Sequence, residues 1–150
     1  MPRPPAAVLD EIGREIADRF PFDMLSMSRW FPDVRQLERV YSTHPAVYPV
    51  GGRKDKPVTA WSECVLAHCR PYVSPDFAAV KAAFDDHDLL ARHGITSILN
   101  VPVASGGRCV GTVNLMSGKV SYGAADAARL AEFLEARADD LAAAMREITL

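Results

Sequence analysis

The chain predicts an α+β domain built on an antiparallel sheet with helices on both sides. Three observations carry that expectation. TSILNVPV (96–103) and RCVGTVNLMS (108–117) are strand patterns joined by the turn pair Gly106-Gly107, so they read as a hairpin. Both ends of the chain carry apolar residues at helical spacing. The element order α-β-β-α-β-α-α-β-β-α also lacks the strict alternation of a doubly wound parallel sheet.

Taken in order, Pro4-Pro5 precede a stripe of Leu9, Ile12, Ile16 and Phe20, with Asp10 and Glu11 early. Proline at the first turn and acids near the start suit a helix N-terminus, and Pro21 ends the helix. FDMLSMSRW (22–30) and QLERVYSTH (36–44) read as strands turned by Phe31-Pro32-Asp33. His44 to Pro57, with three prolines and Gly51-Gly52, reads as a long loop in which Arg53-Lys54-Asp55-Lys56 is solvated. A second helix is expected from Val58 or Thr59, with Thr59 as its cap and Trp61 and Val65 on one face. Tyr72-Val73 is a short strand, Pro75-Asp76 opens a short helix to about Phe84, and Asp86 to His93 forms another closed by Gly94.

The hairpin follows, and then one long final helix after Gly123 with the stripe Leu130, Leu134, Ala138, Leu141, Met145, Ile148. Within the hairpin, Ser97, Leu99, Val101 and Val103 share one face with Cys109, Gly111, Val113 and Leu115. The opposite face is mixed, with Asn100, Thr112 and Asn114 among apolar neighbours. Once covered, such a face must satisfy its amides and hydroxyls with protein, water or a ligand.

At 150 residues the chain is expected to form a single domain, 1–150, large enough to bury a sizeable core. A net charge of −2 with scattered basic residues gives no attraction to nucleic acid or to an acidic membrane. No run of about 18 apolar residues could span a bilayer, and MPRPPAAV does not resemble a secretion signal. Three cysteines without such a signal point to reduced thiols in a cytoplasmic protein, without a structural disulfide.

Cys64 and His68 lie four apart beside Cys69, but a zinc site would need a fourth ligand from His87, His93 or Cys109, none in a zinc-type pair. Buried cysteines that act as small hydrophobes explain the spacing more simply. His87 stands among Asp85, Asp86 and Asp88 at a helix start, where acids cap, so no metal or catalytic role is assigned there. Gly51-Gly52 and Gly106-Gly107 are turn pairs without the spacing of a phosphate cradle.

Arg70-Pro71, Pro75-Asp76, Asn100-Val101-Pro102-Val103 and Gly111-Thr112-Val113-Asn114-Leu115 together resemble the C-terminal half of a GAF domain. The N-terminal half fits in order and length. The resemblance implies a GAF/PAS-like antiparallel sheet, with the terminal helices on one face and a pocket under short helices and loops on the other. One fold hosts many functions, so the ligand does not follow from it. Free methionine-R-sulfoxide reductases of this family resemble G-x-G-V-C-G at the start of the second helix, with acids on the central strands. Here the helix start reads Thr59-Ala60-Trp61-Ser62-Glu63, and Ile98, Asn114 and Met116 fall where the acids would be. The pattern of the family's cyclic-nucleotide binders and the Cys-His pair of its bilin binders are absent as well.

These residues lead to a stand-alone small-molecule-binding sensory or regulatory domain without an attached output segment. Its expected ligand site is lined by Arg29, Tyr41, Trp61, Tyr72, Ile98, Asn100, Thr112 and Asn114. A small enzyme using the same pocket and an interaction module with a vestigial pocket stay open, and no cofactor is named. The expected partners are a small-molecule ligand and a second copy of the chain. That homodimer would form through the first and last helices, because the last stripe is longer than one sheet face needs.

Overall fold

The computed structural model describes residues 3–150. Helix α1 spans Pro5–Arg19, followed by β1 Met24–Phe31, β2 Gln36–Ser42 and β3 Arg53–Asp55. Helix α2, Ala60–Ser62, runs straight into a π-helical turn, Glu63–Ala67, and β4 is Tyr72–Ser74. Helices α3, Phe77–Ala83, and α4, His87–Arg92, precede the hairpin of β5, Ser97–Ser105, and β6, Arg108–Ser117. Helices α5, Ala124–Ala136, and α6, Ala138–Glu147, close the chain.

The six strands form one antiparallel sheet in the order β3-β2-β1-β6-β5-β4. The expected α+β layout is therefore present, with β5 and β6 paired along their length and turned by Gly106 and Gly107 at φ 61° and 76°. That mirror-type turn suits the strand twist and needs residues tolerant of positive φ. The loop after His44 contains one strand that the sequence reading missed. Arg53-Lys54-Asp55 pairs with Gln36-Leu37-Glu38, so the segment read as solvated extends the sheet.

One face of the sheet is closed by α1, α5 and α6. Leu25, Met27, Val40, Leu99, Val101, Val103, Val113 and Leu115 meet Leu9, Ile12, Ile16, Leu130, Leu134, Leu141 and Met145 there. Each such side chain stabilises the fold by about 1.5–3 kcal/mol when fully withdrawn from water. Gly111 is what lets α6 approach: a Cβ at that position would lie 2.6 Å from the Met145 sulfur.

The single long final helix is corrected to two. Arg137, at φ −114° and ψ 9°, breaks it, and its N–H turns back to Leu134 O. The Arg137 guanidinium pairs with Glu15 and Glu11 of α1, while Asp139 and Asp140 restart a helix whose first turn favours acids. The stripe expected to seam two copies is also reassigned. Leu130, Leu134, Leu141 and Met145 are all buried within one chain, packed on the sheet and α1. Among the described residues, the exposed large hydrophobics are Val34, Val50, Val58 and Leu150, and none lies in α1, α5 or α6. No helix among those residues is long and apolar enough to cross a membrane.

Candidate functional site

The other sheet face carries two small apolar clusters. Leu37, Trp61, Val65 and Leu66 form one, and Met24, Tyr48, Val80, Leu90, Ile95, Ile98 and Met116 form the other. A cavity of about 90 Å³ lies between them. Thr59 sets its roof by capping α2 in a reciprocal pair with Ser62, which turns Trp61 inward to 5 % exposure. The π turn then closes with His68 N–H to Glu63 O, and Cys69 takes a left-handed φ of 55°. Single π turns of this kind are frequent at functional sites.

Cross-strand register sorts the polar floor into two rows. In the first, Asn100, Asn114 and Ser26 sit side by side on β5, β6 and β1. Trp61 Nε1–H donates to Asn100 Oδ1 at 3.0 Å and Asn100 Nδ2 donates to Asn114 Oδ1 at 2.8 Å. Asn114 Nδ2 in turn donates to Ser26 Oγ at 3.2 Å. The protein satisfies this row by itself. In the second row Thr112, Ser28 and Arg39 are neighbours on β6, β1 and β2. Thr112 is 1 % exposed, and its Oγ1 has no hydrogen-bond partner; nor has the buried Nε of Arg39. An unpaired buried polar group costs about 1–3 kcal/mol, so this row, unlike the first, depends for its partners on what occupies the cavity.

The mouth is cationic. Arg39 lies over the Tyr48 ring at 4.5 Å and donates to Pro49 O, and Lys56 Nζ lies 4.6 Å from the centre of the Trp61 ring. Burial, helped by nearby Lys54, pulls the Lys56 pKa down to about 8. Asp86 is the one carboxylate lining the cavity, and it is already engaged by Tyr48 Oη at 3.0 Å and Lys54 Nζ at 3.8 Å. Arg39 and Lys56 make no ion pair among the described residues.

Five of the eight residues expected at the site line this cavity: Trp61, Ile98, Asn100, Thr112 and Asn114. Three do not. Arg29 belongs to the closed face, where it donates to Glu38 Oε1 at 2.7 Å and to the carbonyls of Met145 and Ile148 at the end of α6. Burial alone would raise the Glu38 carboxyl, but hydrogen bonds from Arg53 and Arg29 hold it below its ordinary pKa. Tyr41 also lies on the closed face, against Gly13 of α1. A bulge at Val40 reverses the strand's parity, pairing Tyr41 with Met27 and Arg39 with Ser28. Tyr72 pairs with Asn100 and packs in the Trp61 cluster, outside the cavity lining.

A second bulge, at Val110, moves Cys109 off the face assigned to it and into the Trp61 cluster. The sequence reading missed Ser26, Ser28, Leu37, Arg39, Tyr48, Lys54, Lys56, Phe84, Asp86, Leu90 and Met116. The serines carried a signal, since MLSMS alternates small polar with apolar residues. Lys54 and Lys56 differ by two in an extended segment, which puts both on one side.

The thiols are poorly set for attack. Cys64 Sγ–H points to Pro71 O at 3.4 Å, and burial pushes Cys109 up to about 12, with Cys69 beside it. His68 Nδ1 lies 2.7 Å from Glu63 O, an acceptor, so that nitrogen carries a proton. No group of three His, Cys, Asp or Glu residues among those described is placed to hold a metal ion.

No curated protein matches the chain by sequence. Solved structures do match its fold. The GAF domain/HD domain protein from Geobacter sulfurreducens aligns over 95% of this chain and 94% of its own, with a TM-score of 0.76 at 12% identity. A GAF domain of a two-component sensor histidine kinase from Bacillus halodurans covers 94% and 92%, with a TM-score of 0.67 at 19% identity. The type II free methionine-R-sulfoxide reductase from Thermoplasma acidophilum covers 97% and 94%, with a TM-score of 0.68 at 14% identity. The family profile described as GAF domain matches residues 4–145, and with nearly its whole length so covered the chain belongs to the GAF domain family.

Proposed function

We propose that the chain is a small-molecule-binding sensory or regulatory domain of the cytoplasm, with the cavity between α2 and the central strands as its ligand site. The observation that carries this reading is the contrast between the two polar rows. The Asn100–Asn114–Ser26 row is fully paired, whereas Thr112 Oγ1 and Arg39 Nε stand unpaired beside a cavity. An interaction module with a vestigial pocket has no use for polar groups left open to a cavity, while a ligand site pairs them on binding. Binding is favoured over turnover because the lining holds no thiol, and its one carboxylate is committed to Tyr48 and Lys54. A second copy meeting this one through α1 and α6 would have to use their polar outer faces, and sedimentation at micromolar concentration tests that pairing.

Native mass spectrometry of freshly purified protein is the direct test. A small molecule retained by the wild type and reduced in Thr112→Val supports the reading. Conversion of that molecule on incubation would replace it with the enzyme reading. Protein that carries nothing, and whose cavity residues respond to no metabolite mixture, overturns it.

A further inference from the structure

The open row and the uncommitted cations define the ligand's chemistry. Thr112, Ser28 and Arg39 lie on adjacent strands roughly 4.8 Å apart, so a planar oxyanion seated over Ser28 can take donors from both ends of the row. At one end the Arg39 fork and the Lys56 ammonium stand over aromatic rings with no carboxylate partner among the described residues. Across the row from them stands the Thr112 hydroxyl, and the apolar walls of Leu37, Phe84, Leu90, Ile98 and Met116 enclose the rest of the cavity. The cavity, about 90 Å³, is well below the roughly 300–1,000 Å³ of pockets for drug-sized ligands.

Resting on the reading of this cavity as a ligand site, we propose that it binds a small monocarboxylate with a short aliphatic tail. The carboxylate takes donors from Arg39 Nε and the Lys56 ammonium, with the Thr112 hydroxyl completing the anion's shell. A guanidinium fork matches a planar carboxylate in two parallel hydrogen bonds. The apolar walls then select a hydrocarbon tail over a second charged group. Inorganic phosphate shares the anionic chemistry but leaves those walls wet.

The test is titration of the purified wild-type chain with sodium butyrate, 1-butanol and inorganic phosphate, followed by NMR shifts of the Arg39 side chain, the Thr112 amide and the Trp61 indole. Butyrate is expected to saturate these shifts, with 1-butanol and phosphate at least about tenfold weaker. Arg39→Gln and Thr112→Val should each weaken butyrate about tenfold, and the isosteric Thr112→Val keeps the test valid where Arg39→Gln disturbs the loop after β2. Equal binding of 1-butanol overturns the anion assignment and leaves the cavity a ligand site. Phosphate binding as tightly as butyrate overturns the monocarboxylate class in the same way. No saturable response to any probe, in protein that also retains no molecule in native mass spectrometry, overturns this inference together with the function it rests on.

Discussion

The two faces of one sheet are built to different rules. On the terminal-helix side hydrocarbons interdigitate, and the ion pair beneath the end of α6 is complete, with Glu38 held by Arg29 and Arg53. On the α2 side the amide row is finished, but the row beside it ends in an unpaired hydroxyl and an unpaired guanidinium nitrogen. Both faces come from the same four central strands, so the difference is one of side chains and covers rather than of backbone. The closed face supplies stability, whereas the open face keeps a cavity.

The comparison breaks most sharply if the closed face tolerates loss. Leu141 is 0 % exposed, so Leu141→Ala should cost about 2–5 kcal/mol in urea unfolding, and replacing Leu141 and Met145 together with Glu should leave no folded chain by circular dichroism. A folded monomer from that double variant would return the stripe to a dimer interface.

Next in size, Arg29→Ala removes two donors from the end of α6 and one partner of Glu38, with Arg53 still in place. We expect a loss of about 2–3 kcal/mol with butyrate affinity unchanged. Glu38 is depressed below its ordinary pKa, so the stability it contributes is present above pH 4.5 and lost as pH falls through the folded value. Arg29→Ala should flatten that part of the wild-type acid-unfolding curve.

On the open face, Asn100→Ala strands the Trp61 indole N–H and the Asn114 carbonyl and should cost about 1–3 kcal/mol while loosening α2, read as faster hydrogen exchange at Trp61. Thr112→Val is the sharpest discriminator because its sign is opposite. Removing a hydroxyl that has no partner should leave the free protein as stable or up to about 1 kcal/mol more stable, while ligand affinity falls. A destabilised Thr112→Val would mean that the hydroxyl already serves the fold.

The smallest effect is one of pH. Lys56, at about 8, faces Lys54, Arg39, Asp85 and Asp86; a bound anion would favour its charged form and raise its pKa. Butyrate affinity should therefore be level between about pH 6, where the ligand's own carboxylate is ionised, and pH 8, and decline as pH rises further, and the decline should vanish in Lys56→Gln. In the free protein the sign reverses. The folded pKa lies below the unfolded value of about 10.5, so this group alone makes stability rise between pH 8 and the unfolded pKa.

The sequence by itself determined the α+β class, the hairpin, the Thr59 cap and the division of the central strands into an apolar and a mixed face. Each of these is a local matter of period, turn residues and capping chemistry. The parity of Arg29 was equally legible, since it follows Leu25 and Met27 at spacing two on the closed face. Tertiary structure decided the rest. The bulges at Val40 and Val110 flipped Tyr41 and Cys109, and no local residue type announces an extra residue in a ladder. The break at Arg137 depends on carboxylates on α1, more than a hundred residues away in the chain. Whether a polar side chain on a strand is paired within the fold or left open to a cavity depends on its neighbours on adjacent strands. Asn114 and Thr112 sit two apart on β6, yet only register places an amide beside the first and leaves the second unpaired.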